Sequence, residues 1–140
     1  MTDDDRPASD AVGDELAIRN LIARLSLNAD MGNEREYMSS FALDAVWNIP
    51  GAPVRGHDEI RDALVARRAQ GVAGPGTQTR HMVSTTAVTV DGDSASANSY
   101  FQFFTDTVVA PTLRAVGAYR DTFTRTNDGW KLQTRDITFG

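Results

Sequence analysis

The hydrophobic residues near the start of the chain recur every three or four positions, which is the spacing of one helix face. We therefore predict a first helix from about Ser9 to Asp30, with Gly32 as a natural stop just beyond it. The apolar stripe of this helix consists of Ile18, Leu21, Ile22, Leu25 and Ala29. The acidic residues 1–8 lack such a stripe and are expected to form a disordered tail, which leaves a single domain over residues 9–140.

A second, shorter helix is predicted directly after the first, because Asn33 and Glu36 have the spacing of a capping box. Its inward-facing residues would be Tyr37, Met38 and Phe41. The apolar residues 45–49 then predict a short strand, which the prolines and glycine of residues 50–53 would end.

The rest of the chain changes from helical to alternating patterns. A third helix is predicted over residues 58–69, and the glycine-rich residues 70–78 that follow it predict a loop. Alternation then predicts four strands joined largely by hairpin turns, at residues 79–90, 95–107, 113–126 and 130–138. Three helices followed by an antiparallel meander indicate an α+β fold, and a strongly twisted sheet can curl around the helices and enclose a pocket.

Composition and charge narrow the classes of function. The 140 residues contain no run of about 18 apolar positions and no hydrophobic leader, so no membrane span is predicted and a cytoplasmic location is expected. A net charge of −5 argues against nucleic-acid or anionic-membrane partners. The lack of cysteine excludes disulfides, thiolate metal sites and a cysteine nucleophile, and Schiff-base chemistry would depend on Lys131, the only lysine.

Two residues suggest chemistry, Asp30 at the end of the first helix and His81 at the start of a strand. A carboxylate at a helix C-terminus faces the negative end of the helix dipole, so helix formation gives no reason for Asp30. An aspartate that orients a histidine makes a general base that can work near neutral pH. Each residue also has a structural interpretation: Asp30 could pair with an arginine, and His81, on the face of Val83 and Thr85, could lie at the core edge.

Other polar residues are weaker candidates. Tyr119 could offer its phenol to a pocket, and Asn98 and Tyr100 on the neighbouring strand are similar, although all three also suit an ordinary half-exposed strand. His57 begins the third helix, where a surface capping role is expected. A metal site formed by His57, His81 and Asp30 is the less favoured alternative, so no metal and no cofactor is predicted.

Several short strings, in this order and spacing, make the chain resemble the SnoaL-like branch of the nuclear-transport-factor-2-like superfamily over about residues 12–139. They are IRNLI at 18–22, ADMGN at 29–33, FALDAVW at 41–47, GHDEI at 56–60, TRH at 79–81, VDGDSA at 90–95, GAYRD at 117–121 and DGWKL at 128–132, followed by Arg135. The resemblance implies a cone-shaped, curved antiparallel sheet wrapped around three N-terminal helices, with an internal apolar pocket. It also implies a homodimer or homotrimer, because the outer sheet face of this fold commonly packs on a copy of itself.

The resemblance further implies catalysis. Scytalone dehydratase, bile-acid 7α-dehydratase and hexachlorocyclohexane dehydrochlorinase in this superfamily use an Asp–His pair, and Asp30 and His81 match its two positions. Arg135 is similar to a pocket arginine of some of these enzymes. The position at which several relatives carry a tyrosine or lysine proton donor is Leu25 here, so the proton donor stays unassigned.

The expected activity is therefore that of a cofactor-independent lyase or isomerase on a small, apolar, cyclic substrate. Trp47 and the cluster Phe101, Phe103 and Phe104 would supply pocket walls. A polyketide-type cyclase would need the same base. An epoxide hydrolase would need an Asp–Arg–Asp set that activates water, which Asp121 with Arg120 or Arg125 would only approximate. A non-catalytic subunit, such as the small subunit of a ring-hydroxylating dioxygenase, is the third alternative.

Overall fold

Helices and strands follow each other along the chain much as the sequence predicts. The structure, a computed structural model, describes residues 8–140, with side chains from Asp10 onward. The helices are α1 (Ala8–Met31), α2 (Glu34–Met38) and α3 (Gly56–Ala69), and the strands are β1 (Phe41–Ile49), β2 (Ala52–Arg55), β3 (Arg80–Asp91), β4 (Ser94–Thr105), β5 (Thr112–Thr126) and β6 (Gly129–Phe139). The predicted disordered tail lies outside the described residues except for Ala8, which begins α1.

The capping box that predicted α2 is confirmed, but its predicted extent is not. The Glu36 backbone N–H donates to Asn33 Oδ1 at 2.8 Å, and the Asn33 N–H donates to Glu36 Oε1 at 3.4 Å. The inclusion of Phe41 in this helix is wrong: α2 ends at Met38, and Phe41 begins β1, where it pairs with Leu132 of β6. Pairing within the sheet outweighs the helical spacing of the local sequence.

The six strands form one sheet in the order β2-β1-β6-β5-β4-β3. All neighbours are antiparallel except β1 and β6, which run parallel, so the sheet is mixed rather than purely antiparallel. Residues 52–53, predicted as a turn, belong to β2 instead. Pro53 is tolerated there because β2 lies at the edge of the sheet, where a missing N–H leaves no ladder bond unmade.

One half of the space between α1 and the sheet is filled by the core. The stripe predicted on α1 is buried, with Ile18 fully inaccessible and Leu25 2% exposed. It packs in one cluster with Phe123 of β5 and Leu132 of β6, each 1% exposed. Burial of such side chains stabilises the fold by roughly 1.5–3 kcal/mol each, so this half fixes how α1 lies across the sheet.

A bulge in β3 changes which residues face the helices. The register shifts between Ser84 and Ala87, and Thr85 has a φ of +54°. Thr85 is therefore exposed, which corrects the expectation that it shares a face with His81 and Val83. Bulges bend the strand that carries them, and this one is held where Arg19 Nη1 of α1 donates to the Thr86 carbonyl at 3.0 Å.

Candidate active site

Asp30 and His81 are in contact, although 51 positions separate them. Asp30 Oδ1 lies 2.7 Å from His81 Nδ1, and Asp30 Oδ2 accepts the backbone N–H of His81 at 2.9 Å. The Asp30 side chain is 3% exposed and that of His81 is 23% exposed. Since a carboxylate only accepts hydrogen bonds, the Nδ1 nitrogen carries a proton, and in the neutral imidazole the free lone pair is on Nε2.

Arg68 of α3 offsets the unfavourable position of Asp30 at the end of α1. Its Nη2 atom donates to the carbonyls of Asn28 at 3.0 Å and Gly32 at 2.7 Å. A cation that binds the last carbonyls of a helix neutralises the negative end of the dipole. Gly74 leaves room for this arginine, because a Cβ atom there would lie 2.8 Å from Arg68 Cγ.

A cavity of about 230 Å³ opens beside His81, between the helices and the inner face of the sheet. Most of its wall is apolar and includes Leu25, Leu64, Phe101, Phe103, Ile137 and Phe139. The His81 ring packs on Phe103 with 4.6 Å between ring centroids, which orients the imidazole at the wall.

Arg135 also lies in the cavity wall, where it pairs with Asp121. Arg135 Nε and Nη2 donate to the two Asp121 oxygens, each at 2.8 Å, and both side chains are almost fully buried. Burial alone would lower the pKa of Arg135, but the charge and hydrogen bonds of Asp121 raise it above its ordinary value. Arg135 is therefore a permanent cation with its counter-ion already in place.

Tyr119 is held between this cation and an aromatic ring. The Arg135 guanidinium lies 3.8 Å from the centroid of the Tyr119 ring, which stacks on Phe101 with 4.4 Å between centroids. Burial raises the pKa of Tyr119 to about 12, although the charge of Arg135 opposes the shift. Tyr119 therefore lines the cavity as a neutral phenol at ordinary pH.

Tyr37 and Arg67 also line the cavity. Neither was predicted as a site residue, although Tyr37 was expected to face inward. Tyr37 is 3% exposed, and burial raises the pKa of its phenol, while the charge and a hydrogen bond of Arg67 act in the opposite direction. The Arg67 guanidinium lies 4.4 Å from the centroid of the Trp47 ring. The sequence contained one signal for Tyr37. It lies on the predicted apolar face of a short helix, and a buried phenol needs a polar partner.

The sequence-predicted pocket residues divide between the two faces of the sheet. Trp47, Tyr119 and Arg135 line the cavity, as do Phe101 and Phe103, whereas Phe104 does not. The assignment of Asn98 and Tyr100 to substrate binding is corrected, because both are exposed on the outer face and Tyr100 is 58% exposed. Alternation along β4 turns Ser99 and Phe101 inward instead.

The residues considered for an epoxide hydrolase do not come together. Asp121 pairs with Arg135 and not with Arg120 or Arg125, so the expected grouping of Asp121 with either arginine is absent from the described residues. Arg125 instead forms two hydrogen bonds with Asp14, at 2.9 and 2.8 Å.

His57 lies apart from the Asp–His pair. It makes no capping bond; its Nε2 atom lies 2.9 Å from the Phe41 carbonyl oxygen. Among residues 8–140, no three His, Asp or Glu side chains are grouped so that they could hold a metal ion.

The fold defines a class of proteins in which a curled sheet encloses a space the size of a small molecule. In this chain a buried Asp–His pair lies beside that space. A profile of the SnoaL-like domain family matches residues 10–136. The chain belongs to this family, which lies within the nuclear-transport-factor-2-like superfamily and includes dehydratases and isomerases. No helix within residues 8–140 is long and apolar enough to cross a membrane.

Solved structures with this fold come from several bacteria. Rv3472 of Mycobacterium tuberculosis, of unknown function, superposes with a TM-score of 0.84 at 22% identity, over 99% of this chain and 78% of its own. A nuclear-transport-factor-2-like protein of Novosphingobium aromaticivorans with a cystatin-like fold gives 0.83 at 27% identity, over 94% and 85%. A candidate dehydratase of Streptomyces avermitilis gives 0.77 at 16% identity, over 91% and 97%. A comparison with curated protein sequences found no match.

Proposed function

We propose that this protein is a cofactor-independent lyase or isomerase in which Asp30 and His81 form a general base for a small, largely apolar, cyclic substrate. The observation that carries the proposal is the use of both Asp30 oxygens, one by the His81 backbone N–H and one by its Nδ1. The contact with the backbone N–H holds the Asp30 carboxylate in place, and the contact with Nδ1 orients the imidazole and fixes its tautomer. In the neutral imidazole the other nitrogen, Nε2, is the one that can accept a proton, and His81 lines the cavity.

The reaction begins when His81 Nε2 removes a proton from a carbon next to a carbonyl group of the substrate. The electron pair of the C–H bond moves into the carbonyl and forms an enolate. The neutral phenols of Tyr37 and Tyr119 and the charge of Arg135 line the cavity in which this negative charge develops, so they are the groups available to stabilise it. Asp30 stabilises the imidazolium that His81 becomes.

Two outcomes complete the cycle. In a dehydration, the enolate expels a hydroxyl group from the next carbon, and that group leaves as water with the proton held by His81. In an isomerisation, His81 returns the proton to a different carbon of the substrate. Both outcomes restore the neutral imidazole, and the same base would serve a cyclase.

Proton removal can be measured directly in deuterated water. 3-Hydroxycyclohexanone and related cyclic β-hydroxy ketones would be incubated with the protein, and deuterium uptake beside the carbonyl and formation of the enone followed by NMR. We expect both signals with the unmodified protein and with the control His57→Ala, and neither with His81→Ala. Equal rates with His81→Ala would exclude His81 as the base.

We also propose that the chain forms a homodimer or homotrimer through the outer face of its sheet. Apolar side chains on neighbouring outer positions support this, since Met82, Tyr100 and Val116 are 51%, 58% and 43% exposed. Light scattering of the purified protein gives the mass. The substitution Val116→Lys on this face should produce monomers, and a mass that is already monomeric without it would contradict the proposal.

A further inference from the structure

The arginines in the cavity wall differ in how their charges are balanced. Arg135 is neutralised by Asp121, and Arg68 is occupied by the carbonyl groups at the end of α1. Arg67 has no ion pair with any of residues 10–140; its contacts there are the Tyr37 hydroxyl and the Trp47 ring. Arg67 is thus the one cavity cation, within the described chain, that neither a carboxylate nor a helix end balances.

Neither contact of Arg67 supplies a negative charge. Burial raises the pKa of Tyr37, so its phenol remains neutral, and the Trp47 ring offers only its electron-rich face. A guanidinium beside an apolar wall is costly unless it is paired and hydrogen-bonded. An anion that enters the cavity would therefore bind a guanidinium that the fold has already partly removed from water.

The surroundings of Arg67 also favour one shape of anion. The guanidinium carbon of Arg67 lies 4.4 Å from the centroid of the Trp47 ring, and the N–H groups of a guanidinium all lie in its plane. Two parallel N–H groups match the two oxygens of a carboxylate. The rest of the wall, with Leu25, Leu64 and Ile137, suits an apolar body attached to that carboxylate.

We propose that Arg67 binds the carboxylate of a small, mostly hydrocarbon acid, and that the substrates of this protein belong to that class. The second statement rests on the proposed function, because it assumes that the occupant of the cavity is a substrate of His81. The first statement concerns binding alone and holds whether or not a reaction follows.

Binding would be tested by calorimetry with two probes of nearly equal shape, cyclohexanecarboxylate and cyclohexanecarboxamide. We expect the acid to bind about tenfold more tightly than the amide, because only the acid offers a charged, two-oxygen acceptor to the guanidinium. Arg67→Met should remove this preference and leave amide binding nearly unchanged. Arg67→Lys should keep part of it, because lysine retains the charge but not the bidentate geometry.

Several results would overturn the proposal. These are equal binding of both probes by the unmodified protein, no binding of the acid at millimolar concentration, or an undiminished preference in Arg67→Met. The control Arg24→Met, on the exposed side of α1, should keep the preference. Circular dichroism and thermal unfolding of Arg67→Met and Arg67→Lys would establish that both variants are folded.

The same titration in His81→Ala separates this proposal from the proposed function. We expect the preference for the acid to survive in that variant while deuterium uptake by the ketone probes is lost. A preference that disappears in His81→Ala but persists in Arg67→Met would assign the anion to the imidazole and refute the role of Arg67. Deuterium uptake without any acid preference would refute the carboxylate class and leave the general base standing.

Discussion

Two buried aspartates, Asp30 and Asp121, each hold a basic partner beside the same cavity, and the two pairs serve different ends. Asp121 gives both oxygens to Arg135, a side chain that has no lone pair to offer. Asp30 divides its oxygens between the ring and the backbone N–H of His81. One pair is therefore closed and contributes a fixed charge to the wall, whereas the other leaves the Nε2 nitrogen of His81 outside the pair, as the proposed general base requires.

The comparison shows that burial and charge alone do not identify a reactive residue. Both aspartates are buried, and both partners line the cavity. What differs is whether the basic partner can still offer a nitrogen lone pair after the pair has formed. A neutral His81 can, and Arg135 cannot. Substitutions in the two pairs and in the residues beside them should reveal this difference, with the largest effect expected at Asp30.

The substitution Asp30→Asn should lower the rate of proton removal by about 10² to 10⁴, the usual contribution of a general base. The amide can still accept the His81 backbone N–H, but its NH₂ group would face Nδ1 and shift the ring proton to Nε2. The lone pair would then point away from the cavity. Rates of deuterium uptake measure the loss, and the ¹⁵N shifts of His81 report the tautomer; an unchanged tautomer would contradict this mechanism.

The substitution Asp121→Asn should mainly reduce stability, by about 3–5 kcal/mol, because it leaves the buried Arg135 without its counter-ion. Urea unfolding measures this loss. Asp93→Asn is the matched control, since Asp93 pairs with Arg125 at an 86% exposed site and should cost no more than about 1 kcal/mol. Asp30→Asn should also lose only about 1 kcal/mol, because its backbone contact is kept. Equal losses at Asp30 and Asp121 would remove the distinction between the two pairs.

Stability should fall as the pH rises from about 10 toward 12, in part because of Tyr119. The folded state holds this phenol proton up to a pKa of about 12, whereas the unfolded chain releases it near 10, so alkali favours unfolding by up to about 3 kcal/mol. Urea unfolding at several alkaline pH values would show a shallower decline for Tyr119→Phe.

The smallest effect concerns Arg68. The substitution Arg68→Met should cost about 1 kcal/mol, since it removes a cation from the carbonyls that end α1. It should also lower the rate of proton removal, because Asp30 lies between those carbonyls. Urea unfolding and deuterium uptake measure the two effects. A stability loss with an unaltered rate would mean that the end of α1 does not position the base.

The sequence predicted the α+β class, the capping box and the residues of the Asp–His pair, because these depend on local signals or on the resemblance to the SnoaL-like branch. It did not predict that Asn98 and Tyr100 lie on the outer face of the sheet. Tyr100 and Phe101 are adjacent aromatics, so alternation alone does not say which of them is buried. Arg67 and Arg68 were missed for another reason: their roles arise from contacts with α1, α2 and β1, which are distant in sequence.

Gly117 places a limit on how this cavity can change in evolution. A methyl group there would lie 2.2 Å from the Thr138 carbonyl oxygen and 2.5 Å from the Phe101 ring, so even the smallest side chain is excluded. Ala115, two residues away on the same strand, already carries a methyl group and lines the cavity. Directed evolution of ligand preference should therefore accept variants at Ala115, where a side chain borders the cavity, and reject them at Gly117.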